Sequence, residues 1–219
     1  MPTLSNANRP DIRAYIGATG SGKGVSIRAH LKRERPGRLV VWDPLGEYGE
    51  FAQAVGTAGA LVTAATKAGT GRLAVALTPA PGTDYRKAFD LFCAVCFRLG
   101  DCTMLVEELG EVTSPSWAPL SWRKATTQGR HAGLRIIAAS QRPAMIDKGF
   151  LGGCTYIRCF TLRYPQDRQA MAGAMDVPLA DVAALRTIED ERGTSITYIE
   201  RDFRAGWTKT HTERLKKRP

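Results

Sequence analysis

The sequence predicts an α/β protein with a mostly parallel central sheet, flanked by helices and ending in a C-terminal β-hairpin. Three observations predict it. Short apolar runs alternate with stretches of helical spacing, the order expected of consecutive βαβ units. A glycine-rich turn, GATGSGKG at residues 17–24, joins the first apolar run to the first helical stretch. The closing stretch TSITYIERDFRAGWTKT alternates as two antiparallel strands do.

Taken in order, AYIGA is a short strand entering the glycine turn, and GVSIRAHLKRE has helical spacing after it. RLVVWDP is a second strand ended by Pro44, and GEYGEFAQAV is expected as a short helix. RLAVALTP is a further strand, and DYRKAFDLFCAVCFRLG a helix stopped by Gly100. TMLVEE opens as a continuous apolar run suited to the middle of a sheet. A helix lies within WAPLSWRKATTQGRHAG, LRIIAASQ is again a strand, and TYIRCFTLR another. PQDRQAMAGAM is a helix candidate, and LADVAALRTI follows it before the final hairpin.

At 219 residues the chain fits one α/β domain with modest additions. The expected division is an N-terminal extension over 1–10, one domain over 11–210, and a basic tail over 211–219. That tail reads either as a frayed end or as an arm that touches phosphate backbone. A hydrophobic share of 43% and a charged share of 24% exclude disordered and fibrous classes. The net charge of +10 favours polyanionic partners such as nucleic acid or an acidic membrane surface. The N-terminus lacks the apolar segment of a secretory signal, and no run approaches the roughly 18 apolar residues of a membrane span. The expectation is a soluble protein of the host-cell cytoplasm, with virion association as its alternative. Five cysteines, an odd number without secretory context, argue against a disulfide framework. Cys93 and Cys96 form C-x-x-C, but their helical apolar spacing reads as core, and no second C-x-x-C or His pair accompanies them.

The chemistry begins at the glycine turn, which fits G-x-x-x-x-G-K-[ST] up to its final residue. Such a loop, from Gly17 through Ala18, Thr19, Gly20, Ser21, Gly22, Lys23 and Gly24 to Val25, directs backbone N–H groups and a helix N-terminus at one point, where a phosphate fits. Gly17, Gly20 and Gly22 let the backbone bend and come close, and Lys23 supplies a charge that can follow the γ-phosphate. MLVEE then puts Glu107 and Glu108 at the C-terminal tip of a buried strand, where open α/β sheets bind their ligands. Glu107 is assigned to the metal, and Glu108 to orienting and deprotonating the attacking water. Glu111 is a rival close by, read as a surface charge. Gln141, after LRIIAAS, should emerge beside the acidic tip as a polar sensor of γ-phosphate or water. Arg130 in the preceding segment reads either as an arginine supplied to a neighbouring subunit or as a surface or nucleic-acid contact. His131 reads as a structural hydrogen-bonder.

Taken together, GATGSGKG, VVWDPLGEY, MLVEE, GRHAGL and AASQRP resemble the HerA–FtsK superfamily of RecA-like P-loop ATPases over roughly residues 11–165. The resemblance implies a RecA-like P-loop NTPase fold, ATP and Mg²⁺ as cofactors, and a homo-oligomeric ring, expected to be a hexamer. ATP would lie between subunits, with DNA, expected to be double-stranded and read without sequence specificity, passing through the centre. Within that superfamily the chain is similar to viral genome-packaging ATPases of tailless, membrane-containing phages, which adds a capsid or membrane-vertex protein as a partner. Alternatives are a Zot-like filamentous-phage assembly ATPase, a plasmid DNA-transfer ATPase, or a nucleotide-holding ring component. Asp43 falls on a family position, with a role in the water or magnesium network or simply as a strand end, and Glu47 and Tyr48 share its signature. Gly24 departs from the family, which has Ser or Thr there as a direct magnesium ligand. Water can replace that ligand. The expectation is weakened magnesium dependence and slow turnover with nucleotide binding retained. Neither Ser21 nor Ser26 is placed to substitute.

Overall fold

A computed structural model describes residues 9–216. Its sheet has the strand order β10-β9-β7-β1-β6-β5-β2-β4-β3, with β8 paired on β9. The parallel part comprises β1 (Asp11–Ile16), β2 (Arg38–Trp42), β3 (Gln53–Val55), β4 (Leu73–Leu77), β5 (Thr103–Val106), β6 (Arg135–Ser140) and β7 (Tyr156–Cys159). The antiparallel edge is made of β8 (Thr187–Asp190), β9 (Gly193–Asp202) and β10 (Trp207–Leu215).

Alternation along the central strands divides the core into two layers. Ile12, Ala14 and Ile16 of β1, Val40 and Trp42 of β2, and Ile136 and Ala138 of β6 face the larger layer. Tyr15, Leu39, Val41, Ile137 and Ala139 face the smaller one, where they meet Ile27 and Leu31 of helix α1 (Lys23–Glu34). The larger layer is covered by α2 (Ala58–Ala68), α3 (Tyr85–Leu99), α4 (Leu109–Val112), α5 (Leu120–Gln128), α6 (Lys148–Gly153), α7 (Pro165–Met175) and α8 (Leu179–Ala183). Asp84 caps α3, accepting from the N–H groups of Arg86 and Lys87, and Gly100 closes it with φ +61°. Phe89, fully buried on this helix, stands 5.2 Å from Trp42 and 5.6 Å from Trp122 between ring centres. Cys93 and Cys96 lie in the same core, and all five cysteines are free and buried.

Two expectations are corrected. GEYGEFAQAV is not a helix: residues 44–51 form turns, and Gln53–Val55 is the edge strand β3. Asp43 causes the difference, because its carboxylate accepts the N–H groups of Glu47 at 2.8 Å and Tyr48 at 2.9 Å and closes a turn there. The basic tail does not begin as a free arm at residue 211. β10 continues to Leu215 against β9, Arg214 pairs with Asp190, and residues 217–219, like 1–8 of the N-terminal extension, lie outside the described residues. The hairpin also has a third strand, β8, to which the sequence pattern gave no element. Among the described residues no helix is long and apolar enough to cross a membrane.

Phe89→Ala should destabilise the protein by about 3–5 kcal/mol in urea denaturation, through lost burial and the cavity left between two tryptophans.

Candidate functional site

Strand register brings the chemistry to one rim. Ile16 is level with Ser140 of β6 and Cys159 of β7, Val106 with Ala138, and Trp42 with Val106. The residues that leave these strand ends, Gly17, Gln141, Glu107 and Asp43, therefore emerge together. β6 lies between the glycine-loop strand and the acidic strand, so Gln141 stands between the loop and the carboxylates.

The loop is pinned at its start. Gly17 N–H donates to the Ser140 carbonyl at 3.1 Å, Ala18 N–H to Thr161 at 2.9 Å, and Ser21 N–H to Ala18 at 3.2 Å. These three residues form the floor, while Thr19, Gly20, Gly22, Lys23, Gly24 and Val25 line a cavity of about 320 Å³ with Glu107, Glu108 and Gln141. Gly20 and Gly22 have φ +76° and +100°, which glycine adopts without a Cβ penalty, and Gly22 opens α1. The N–H groups of the first turn of α1 thus face the cavity's end of the helix.

Lys23 Nζ donates to the carbonyls of Gly17 at 2.6 Å and Ala18 at 3.2 Å. Burial lowers its pKa, opposed by the charges of Glu108, Glu107 and Glu47. Burial raises Glu107 to about 7, against a lowering by the hydrogen bond that the Tyr48 hydroxyl donates to its Oε1; Glu108 raises it further. Asp43, itself buried, holds the turn that delivers Tyr48. This gives Tyr48 a role the sequence did not disclose, and assigns Asp43 to building the turn beside the cavity.

Glu108 has φ +49°, a left-handed conformation costly for a residue with a Cβ, and this turns its carboxylate back toward Gln141. Gln141 Nε2 donates to Glu108 Oε1 at 2.6 Å, and Gln141 Oε1 accepts from Thr19 Oγ1 at 2.5 Å. A continuous hydrogen-bonded chain thus joins the glycine loop, the end of β6 and Glu108. Glu111 is exposed on α4 and does not line the cavity. Ser26 Oγ accepts from Arg158, and Ser21 is buried against the loop floor, so neither stands where the missing hydroxyl belongs.

Arg130 is not brought to this cavity. It is exposed in the 3₁₀ turn Gly129–Ala132 before β6, at the opposite end of a six-residue strand, about 17 Å long at ordinary strand rise. There it donates to His131 Nε2 at 3.3 Å and lines a shallow hollow with Arg9, Arg135 and Arg204.

Residues from outside the predicted set complete the cavity: Leu45, Arg28 of α1, and Thr194, Ile196 and Leu215 of the hairpin. Ile196 folds over the loop so closely that a Cβ on Gly22 would lie 2.5 Å from its Cδ1. The helical periodicity of α1 placed Arg28 one turn beyond Gly24, a signal present in the sequence. Nothing local announced the hairpin contacts.

For a divalent cation, the carboxylates lining the cavity are Asp43, Glu47, Glu107 and Glu108, and no cluster of three or more His, Cys, Asp or Glu suited to a metal occurs among the described residues. A magnesium ion fits this donor set when phosphate oxygens and water supply its remaining ligands.

No protein-family model matches the chain. It is 28% identical over 191 residues, 85% of this chain and 83% of the relative, to Protein P9 of Pseudoalteromonas phage PM2. The structure superposes with TM-score 0.72 on the genome packaging NTPase B204 from Sulfolobus turreted icosahedral virus 2 in complex with AMPPCP, at 18% identity, covering 96% of this chain and 100% of that one. The chain has the fold of the B204 packaging NTPase. VirB4 of Thermoanaerobacter pseudethanolicus is more distant, with TM-score 0.56 and 12% identity over 99% of this chain and 92% of that one. The B204-like fold matches the predicted P-loop architecture, with its mostly parallel sheet and C-terminal strand pair.

Glu107 binds its proton more tightly in the folded chain, so the stability tied to that proton is full below about pH 4.5 and is lost as pH rises through about 7. In EDTA, Glu107→Gln should raise the melting temperature above wild type at pH 8 and converge with it near pH 5. An unchanged difference across that range would contradict the buried carboxylate.

Proposed function

We propose that this chain is an ATP-hydrolysing motor that moves DNA, with packaging of a viral genome as its task. The observation that carries the reading is the hydrogen-bonded chain Thr19–Gln141–Glu108 beside Lys23, on the rim shared by the glycine-loop strand, β6 and β5. The reading is supported by the fold shared with the genome packaging NTPase B204, and a net charge of +10 suits a non-specific grip on phosphates.

In the proposed reaction the loop amides and Lys23 hold the β- and γ-phosphates. Gln141 fixes one oxygen of Glu108, and the other accepts a proton from water as its oxygen attacks the γ-phosphorus. The bond from the γ-phosphorus to the bridging oxygen breaks, and its electron pair leaves with ADP, whose charge Lys23 and the loop offset. Magnesium, held by Glu107 with phosphate and water, neutralises phosphate charge when bound.

Assembly into a homo-oligomeric ring, proposed as a hexamer, gives the remote Arg130 a function. In a ring, the end of the sheet opposite the loop is available to a neighbour's nucleotide, where an arginine stabilises the charge on the transferred phosphoryl group. The same assembly would present a capsid or membrane-vertex protein with a repeated docking face. A second reading, a ring component that holds ATP without turning it over, is favoured by Gly24 alone.

The test is steady-state ATP hydrolysis with and without double-stranded DNA. The motor reading expects turnover that DNA accelerates; binding without turnover in either condition favours the second reading. Glu108→Gln should lower turnover by at least about a hundredfold, the scale of a lost general base, while ATP stays bound. Arg130→Ala should lower the DNA-stimulated rate of the assembled ring and leave nucleotide binding by the isolated protomer unchanged; full activity in the ring would remove the trans role.

A further inference from the structure

Another side chain comes close to the backbone at Gly24. A Cβ built on Gly24 would lie 2.9 Å from Arg28 Nη1 and 3.8 Å from its Cζ. Arg28 is one helical turn further along α1, on the same face, and lines the cavity that holds Lys23, Glu107 and Glu108. Its Nη2 reaches the Glu47 carbonyl at 3.3 Å and carboxylate at 3.4 Å, and its guanidinium lies 5.4 Å from the centre of the Tyr48 ring. Those contacts aim the group. Nη1 makes no hydrogen bond among the described residues and faces the point where a Cβ on Gly24 would lie.

The geometry points to Arg28 as a second phosphate-binding cation that occupies the position of the missing Ser or Thr hydroxyl, so that a triphosphate is held by Lys23 and Arg28 with little help from a divalent cation. This rests on the nucleotide reading above and assigns a residue to it. A guanidinium stays charged at every working pH and offers paired donors matched to phosphate oxygens, which a hydroxyl does not. The long, partly exposed contact with Glu47 contributes little as an ion pair and leaves donors for a ligand. A Cβ at position 24 would push the flexible end of Arg28 aside, and Gly24 leaves Nη1 its place beside the helix N-terminus.

The experiment is calorimetric binding of ATPγS in Mg²⁺ and in EDTA, for wild type, Arg28→Gln, Arg28→Lys and Gly24→Thr, with thermal melts to establish folding. Wild type should weaken by less than about tenfold when EDTA replaces Mg²⁺. Arg28→Gln should lose at least about tenfold more affinity in EDTA than in Mg²⁺, and Arg28→Lys should recover part of it. Gly24→Thr should make binding depend on Mg²⁺. Tight wild-type binding with Arg28→Gln unchanged, or weakened equally in both buffers, would overturn the role of Arg28 and leave the nucleotide reading standing. No wild-type binding in either buffer would overturn both.

Discussion

The candidate site depends on the parallel register of four neighbouring strands. Because β1 and β6 end level with each other, and β5 and β2 end level with each other two residues earlier, a glycine loop, a glutamine, two carboxylates and a buried aspartate meet without any long loop to carry them. Parallel strands are buried on both faces, so this rim is held by the core on either side. The two hydrophobic layers, one under α1 and one under α3 and α5, make the rim a fixed edge.

On that edge the polar groups support one another in order. Asp43 closes a turn, the turn delivers Tyr48, and Tyr48 holds Glu107, whose burial raises it to about 7. On the other side Thr19 holds Gln141, which holds Glu108 against a strained backbone. The two adjacent carboxylates thus have different partners, and separate partners are what give neighbouring carboxylates separate roles. One is protected and costly to ionise; the other is oriented by an amide.

Much of the fold was legible in the sequence because its signals were local. The glycine loop, the apolar run before Glu107 and the capped α3 each carry their own pattern, and their order implied the sheet. The turn at Asp43 was not legible as a turn, since GEYGEFAQAV has helical composition and only a buried carboxylate taking two N–H groups redirects it. Helix α2 has no such signal: it is rich in alanine and threonine, and only Leu61 is fully buried. In the site, loop, carboxylates and glutamine were readable from motif spacing. Tyr48 on Glu107 and Ile196 over Gly22 join residues far apart in the chain, and spacing carries no trace of such contacts.

The most direct measurement is a crystal structure with a non-hydrolysable ATP analogue. The γ-phosphate should lie at the rim between Lys23 and Glu108, with Lys23 Nζ exchanging the Gly17 and Ala18 carbonyls for phosphate oxygens, and Glu108 on the side from which water attacks. An analogue bound elsewhere, with Lys23 still on those carbonyls and Glu108 turned from the phosphate, would contradict this arrangement.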